Sequence, residues 1–280
     1  MSNITFIVFT YNEEKRIRRV IENFRNYGRI LIADNRSKDR TCDIAREYGC
    51  DIFIREKDYE YVENQELVDL LYERVTTDWI YWGLADEMLE KETLDRFLGI
   101  VGSGQFDIVE MDRKNYFYGR FCYNLLHAWS YKLFRKKAID FRGNAIHGMG
   151  RPVVPANRIL RLDDRFFVHH FISNTANSYL NVINRYTETE LKFAYKAKAG
   201  FMHPPFVLGK SIIKEYFYNK GYKAGFAGFA LLQLMVFYNL IKNIKHYEKD
   251  HELTTPKIED QNDHFRDKIL SQLDVQKLVR

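Results

Sequence analysis

The chain has 280 residues, 46% apolar and 29% charged, with a net charge of +5. That apolar content supports a substantial core, and interspersed charges of both signs argue against global disorder. Cys42, Cys50 and Cys122 form no C-x-x-C pair and are odd in number, which speaks against a disulfide framework or a cysteine zinc site and fits a reducing cytoplasm.

At the N-terminus no cleavable signal is expected: the first apolar run, Ile4 to Phe9, is short and has no basic region before it. Residues 4–10 are nearly all β-branched or aromatic, the pattern of a buried parallel strand. Residues 13–27 space Ile17, Val20, Ile21 and Phe24 as a helix does, with Gly28 as the stop. A strand at 29–33, a helix at 39–48 ended by Gly49, a strand at 51–54, a helix near 63–75 and a strand at 79–82 follow. This alternation predicts an α/β fold with a mostly parallel sheet covered by helices on both faces. Residues 106–170 read as mixed strands and loops, with strand candidates at 107–111 and 131–134. A helix over 176–198 is predicted to break at His203-Pro204-Pro205. Helices at about 206–220 and 222–247 come next, then a polar, loosely held tail with a short helix near 264–279. The implied divisions are 1–175, a basic apolar helical region over 176–250, and the tail at 251–280.

Ligands of open parallel sheets bind at the carboxyl ends of strands. Here those ends read Thr10-Tyr11-Asn12-Glu13-Glu14, Asp34-Asn35-Arg36-Ser37-Lys38-Asp39 and Leu84-Ala85-Asp86-Glu87. Asp86 and Glu87 can hold Mg²⁺ or Mn²⁺, which take oxygen ligands and offset charge on a departing diphosphate. Equally, they can cap the start of the next helix. Asp34 offers acceptors to a ribose hydroxyl or a base N–H. Ser37, Asp39, Thr10 and Asn12 have the same two readings, ligand contact or helix cap. No G-x-G-x-x-G follows the first strand, and neither a Walker-type loop nor a G-x-S-x-G elbow is present, which counts against dinucleotide oxidoreductases, P-loop NTPases and α/β-hydrolases.

Together, Thr10-Tyr11-Asn12-Glu13-Glu14, Asp34-Asn35-x-Ser37-x-Asp39-x-Thr41 and Asp78-Trp79-Ile80 leading to Ala85-Asp86-Glu87 resemble glycosyltransferase family 2 of the GT-A fold. The similarity extends to the branch that builds lipopolysaccharide core and other surface glycans, through Leu133-Phe134-Arg135, Ile146-His147, His170 and Asn184-x-Tyr186-Thr187. The resemblance implies a nucleotide-diphospho-sugar donor bound by Thr10, Tyr11, Asn12, Glu13, Asp34 and Ser37. It implies a divalent metal at Asp86 with support from Glu87, His170 as a metal or diphosphate contact, and inverting transfer to a glycan or lipid-linked glycan. Two departures stand out. Leu84 replaces the first carboxylate of the metal motif, and Gly148 follows His147 where the branch often has Glu. His147, Asp163 and Asp164 are the remaining candidates for the general base. The rival reading is a degenerate member that binds glycans or a partner enzyme without turnover. Tyr116, Phe117, Tyr118, Arg120 and Trp129 are candidates for stacking on acceptor sugars, or for core packing.

Residues 192–250 carry ten lysines, no arginine and three acids, which leaves the rest of the chain slightly acidic. Within them, 224–241 is an uncharged run flanked by lysines. It is expected to lie on an anionic membrane surface at the inner face of the cell membrane, to close a core or homodimer contact, or to span the bilayer. Nucleic acid is not expected, because the charge is broken by apolar runs.

Overall fold

A computed structural model describes residues 3–57, 62–144, 148–173, 175–192 and 203–278. The chain forms two compact units, Met1–Leu180 with Ser211–Leu234, and Asn181–Lys210 with Met235–Arg280.

In the first unit, β1 (Ile4–Thr10), α1 (Ile17–Phe24), β2 (Arg29–Asp34), α2 (Thr41–Glu47), β3 (Asp51–Ile54), α3 (Gln65–Arg74) and β4 (Trp79–Leu84) alternate as the sequence predicts. The short β5 (Glu87–Met88) precedes α4 (Lys91–Ser103). Next come β6 (Ile108–Phe117), β7 (Arg120–Phe121), β8 (Ala128–Arg135), β9 (Ile139–Asp140), β10 (Arg151–Pro152), β11 (Ile159–Arg161) and β12 (Phe167–Ser173). The main sheet runs β3-β2-β1-β4-β8-β6-β12-β5, with β11 and β7 also paired to β6. Its first four strands are parallel. The second half is mixed: β8 is antiparallel to β4 and β6, whereas β12 is parallel to β6.

Side chains alternate across a strand, so β1 serves two cores. Ile4, Phe6 and Val8 pack with α1 and α4 residues such as Phe24 and Phe97. Ile7 and Phe9 pack on the other face with Leu67, Val68 and Leu71 of α3 and with Trp82 and Phe141. Every residue of β1 is buried, which explains its unbroken apolar run.

α1 starts later than its apolar spacing suggests. The backbone N–H groups of Glu13 and Glu14 are held instead by the side chains of Thr41 and Asp39, which keeps 11–16 as a loop.

The chain continues through α5 (Ala176–Glu190), α6 (His203–Ser211), α7 (Phe226–Asp250) and α8 (Thr255–Leu278). The Pro204-Pro205 pair opens α6, because the first turn of a helix has no partner for the missing N–H groups. A π-helical stretch, Ile212–Tyr218, and a 3₁₀ turn, Gly221–Ala224, link α6 to α7. The basic helical region read as one piece is therefore divided between the units, since 211–234 belongs with the sheet. A Cβ on Gly221 would lie 2.5 Å from Leu125 and one on Gly228 would lie 2.0 Å from the Gly221 carbonyl, so both positions need glycine for this close approach.

In the second unit, Glu190 of α5 meets Tyr238 and Lys242 of α7, the lysine at 2.8 Å. The tail is more regular than its polarity suggests: α8 is 24 residues long rather than a short helix near 264–279. Local pairs such as Arg266–Asp263 at 2.7 Å support it. Among the described residues one helix, Phe226–Asp250, is long and apolar enough to cross a membrane, with a third of its apolar window buried.

Candidate active site

The first two strand-end loops are knitted together. Asp34 is fully buried and accepts hydrogen bonds from Thr10 Oγ1 (2.7 Å), the Ser37 N–H (2.7 Å) and Ser37 Oγ (2.6 Å). Ser37 Oγ accepts from the Asn12 N–H at 2.7 Å, and Asn12 Oδ1 accepts from the Lys38 N–H at 2.8 Å. Asn12 and Arg36 sit in the left-handed region at φ 55° and 60°. A non-glycine residue held there costs conformational energy that the surrounding bonds must offset, a common mark of binding loops. Thr10 and Asp34 thus brace the loops from beneath, while Tyr11 is half exposed on them. The capping alternative does not hold for the first loop: α1 has no side-chain cap.

The third strand end departs further from expectation. Neither Asp86 nor Glu87 caps a helix, because β5 intervenes and Glu90 occupies the N-cap of α4. β5 pairs antiparallel with β12, His170 opposite Glu87, and the Phe171 N–H donates to the Asp86 carbonyl at 2.8 Å. This pairing brings the two acids beside His170, from a segment more than eighty residues away in sequence.

Glu87 is not presented to a ligand. It is fully buried, takes bonds from Lys132 Nζ at 2.8 and 2.7 Å, and accepts from the Leu84 N–H at 3.2 Å. It braces the turn that carries Asp86, so it supports that residue rather than offering an oxygen to a metal or to the reaction.

Asp86 differs. Its Oδ1 is buried without a hydrogen-bond partner. Its Oδ2 lies 3.5 Å from His170 Nε2 and 3.7 Å from Arg16 Nη1. Burial alone would raise the Asp86 pKa, but His170, Arg16 and Arg113 hold it below the usual carboxylate value.

The His170 tautomer follows from its neighbour. Asn115 Nδ2 donates to the carbonyls of Leu125 (3.0 Å) and Leu126 (2.8 Å), so its Oδ1 faces His170 Nδ1 at 2.7 Å as an acceptor. Nδ1 therefore carries a proton, and Nε2 is the ring nitrogen that faces Asp86. An unpartnered carboxylate oxygen beside an imidazole whose other nitrogen is anchored suits a divalent cation whose remaining positions are filled by phosphate oxygens. The protein would supply only two ligands: no group of three or more His, Cys, Asp or Glu is disposed to hold a metal among the described residues.

Four cations lie around Asp86, Glu87 and His170, and sequence reasoning missed them all. Arg16 and Arg19 come from the loop and first turn of α1, Arg113 from β6 and Lys132 from β8. Arg113 approaches Glu87 at 4.0 Å, and Arg19 lies 5.0 Å from the Phe171 ring. Arg16 and Arg19 fall within the helix predicted over 13–27, off its apolar positions; the tertiary fold alone aims them here. Glu13 joins the cluster through Arg16 at 3.4 Å. Burial raises the Glu13 pKa to about 7, with Arg16 opposing and Asp86 and Asp39 reinforcing.

A second unforeseen feature is the His127–Asp112 pair. His127 Nδ1 lies 2.9 Å from Oδ1 of the buried Asp112, and the imidazole remains 28% exposed. The hydrogen bond to Asp112 raises the His127 pKa against the burial that opposes it. Because β8 runs antiparallel to β4, His127, just before β8, stands at the same end of the sheet as Leu84 and Asp86.

The other candidates for a base do not gather here. Asp163 and Asp164 lie before the start of β12, six or more residues ahead of His170, and Asp163 pairs with Arg165 at 3.2 Å. His147 lies outside the described residues. Of the aromatic candidates, Phe117 is fully buried, which selects core packing of its two readings, whereas Tyr118 and Arg120 are exposed.

SunS, a prophage-derived glycosyltransferase of Bacillus subtilis, is 31% identical over 94 residues, 32% of this chain. The match spans only 21% of SunS itself. An uncharacterized glycosyltransferase of Rickettsia typhi is 23% identical over 250 residues, covering 82% of this chain and 81% of the relative. Among solved structures, residues 1–349 of S. aureus TarS in complex with UDP align at a TM-score of 0.47 and 14% identity, over 88% of this chain and 89% of that one. The family described as Glycosyl transferase family 2 matches residues 5–159, more than half of the sequence, and the chain belongs to that family.

Proposed function

We propose that the protein transfers a sugar from a nucleotide-diphospho-sugar to a hydroxyl of a glycan or lipid-linked glycan in cell-surface polysaccharide synthesis. The observation that carries this reading is Asp86, with its unpartnered buried oxygen beside His170 Nε2, set among Arg16, Arg19 and Arg113 next to the knitted loops. An acid–imidazole pair within a basic surround suits a metal-bound diphosphate, which carries more negative charge than one divalent ion offsets. Asp86 and His170 would hold the Mg²⁺ or Mn²⁺, and the ion would stabilise charge on the leaving diphosphate. Arg16 and Arg113 add fixed positive charge to the same oxygens. Tyr11 offers a face for the base, on loops that Asp34 and Ser37 hold in place.

His127 is the general base of this reading, in place of the carboxylate that Gly148 cannot provide. Its Nε2 takes the acceptor hydroxyl proton as the acceptor oxygen bonds to the anomeric carbon. The bond from that carbon to the diphosphate breaks, and the diphosphate leaves with the electron pair. Attack opposite the leaving group inverts the anomeric centre. Asp112 fixes the tautomer with Nε2 free, as an orienting acid does for any histidine base.

The test is nucleotide release from a panel of nucleotide sugars with Mn²⁺ or Mg²⁺, with and without a membrane extract as acceptor. One donor class is expected to turn over. Failure of every donor to bind or react would end the reading. Binding without turnover would favour the non-catalytic alternative, to which Leu84 and Gly148 lend support.

A pH profile tests the base separately. A histidine base must be neutral to act, so kcat/KM is expected to rise with pH through a value above the usual histidine pKa near about 6.5. Asp112→Asn removes the carboxylate charge that, with its hydrogen bond, raises it, and is expected to move this limb to lower pH while reducing the plateau. An unmoved limb would remove His127 from the mechanism.

A further inference from the structure

The segment between α6 and α7 has an unusual surface. Between Ser211 and Ala230 the exposed residues are Ile213, Lys214, Phe217, Tyr218, Lys220, Tyr222, Lys223, Gly225, Phe226 and Phe229. Apart from one glycine, every exposed residue is a lysine or a large apolar or aromatic side chain. Ile213 is 69% exposed, Phe217 60%, Tyr218 80% and Phe226 72%. Such side chains are normally buried, and a contiguous apolar patch of this kind marks an interaction site.

The segment's single acid, Glu215, points inward. It accepts from the Leu126 N–H at 3.0 Å and from Asn219 Nδ2 at 2.7 Å, while the Asn219 carbonyl accepts from the Asn124 N–H at 3.2 Å. These bonds, with the close approach of Gly221 to Leu125, bolt the segment to the turn joining β7 and β8. The aromatic residues are therefore held outward by a fixed backbone.

We infer that this face docks on an anionic phospholipid surface. Lysine heads with long apolar stems, interleaved with Tyr and Phe, match the headgroup layer, where rings sit at the interface and ammonium groups meet phosphates. The absence of exposed acids over twenty residues fits a uniformly anionic partner; a protein partner would present mixed charge. Arg120 and Lys223 add two cations to a cleft of about 400 Å³ beside Tyr118 and Phe226, wide enough for a phosphodiester headgroup. The location is also apt. The turn that Glu215 anchors supplies the Leu125 and Leu126 carbonyls that orient Asn115, and Asn115 orients His170. Docking here would hold the site end of the sheet near the bilayer, where a lipid-linked acceptor would be found. The docking surface itself stands on surface chemistry and is tested without any sugar donor, so it can fail while the transferase reading survives, and the reverse.

The experiment is cosedimentation of the full chain with vesicles of phosphatidylcholine alone, or with about 30% phosphatidylglycerol. Binding to the anionic vesicles is expected, with release by 0.5 M NaCl. Lys214→Gln/Lys220→Gln/Lys223→Gln is expected to weaken it about 100-fold, from about fivefold per lysine at an anionic surface. Phe217→Ser/Phe226→Ser is expected to weaken binding without removing its salt dependence. All these side chains are exposed, and an unchanged circular dichroism spectrum checks that the fold is kept. Equal binding to neutral vesicles, or wild-type binding by the lysine variant, would overturn the proposal. So would a dimer that the Phe217→Ser/Phe226→Ser variant dissociates, with no vesicle binding by wild type, because the patch would then be covered by a second copy.

Discussion

Asparagine at Asp86 is expected to lower sugar transfer about 1,000-fold while the protein stays folded. The substitution keeps size and one oxygen but removes the charge. Asp86 makes no hydrogen bond through Oδ1, and its nearest basic contacts are His170 at 3.5 Å and Arg16 at 3.7 Å, so little of the native fold depends on it. What is lost is the anionic ligand that, with His170, would hold the divalent ion against the diphosphate. Nucleotide release measured across a metal titration checks this. The variant should need more metal for half-activation and should not recover at saturation. Wild-type turnover by Asp86→Asn would dismiss the assignment. Asn115→Leu is a milder relative. It frees His170 Nδ1 from its acceptor, so the imidazole can swap tautomer, and metal affinity should fall by about 10- to 100-fold.

The second large effect is on stability. Lys132→Met is expected to cost about 3–5 kcal/mol, because it leaves the buried Glu87 carboxylate without its ammonium partner. Arg113 at 4.0 Å and the Leu84 N–H at 3.2 Å compensate only in part. Burial pulls the Lys132 pKa below its usual value and Glu87 pulls it back, so each group tolerates its position only in the other's presence. The double variant Lys132→Met/Glu87→Gln should therefore lose much less than the two single losses added together, as read by urea unfolding of all four proteins. Additive losses would mean that the pair is not coupled. Because Lys132 also donates to the Trp82 carbonyl at 3.1 Å, the pair braces both sides of the turn that presents Asp86. Transfer should fall in both single variants, even at temperatures where they remain folded.

The loops at 10–14, 34–41 and 84–87 were legible because a parallel sheet gathers the carboxyl ends of its strands, and each strand here is a plain apolar run. The family likeness rests on the same three stretches. Glu87 misled for a physical reason: an acid after a strand looks the same whether it faces solvent or a buried lysine, and Lys132 lies 45 residues away. Arg16, Arg19 and Arg113 were equally silent. A basic residue on a helix or strand reads as a solvated face until an acid from another element is placed against it. Nor did the spacing of Asp112 and His127 suggest a pair, because it depends on how the turn before β8 meets β6.

At the C-terminal end, the lysine-rich, aromatic composition of 192–250 could be read directly, together with its likeness to a membrane-facing segment. Which side chains face outward could not. Helical periodicity points to the long run at 224–241, yet the exposed basic and aromatic set begins at Ile213, in a π-helical stretch whose register no helical period describes. Composition and strand order are local properties, so they survive in one dimension, and they carried the sheet, the family and the three loops. The partners of buried charges and the outward face of an irregular segment depend on contacts between residues far apart in the chain. Only the packed fold brings those residues within bonding distance.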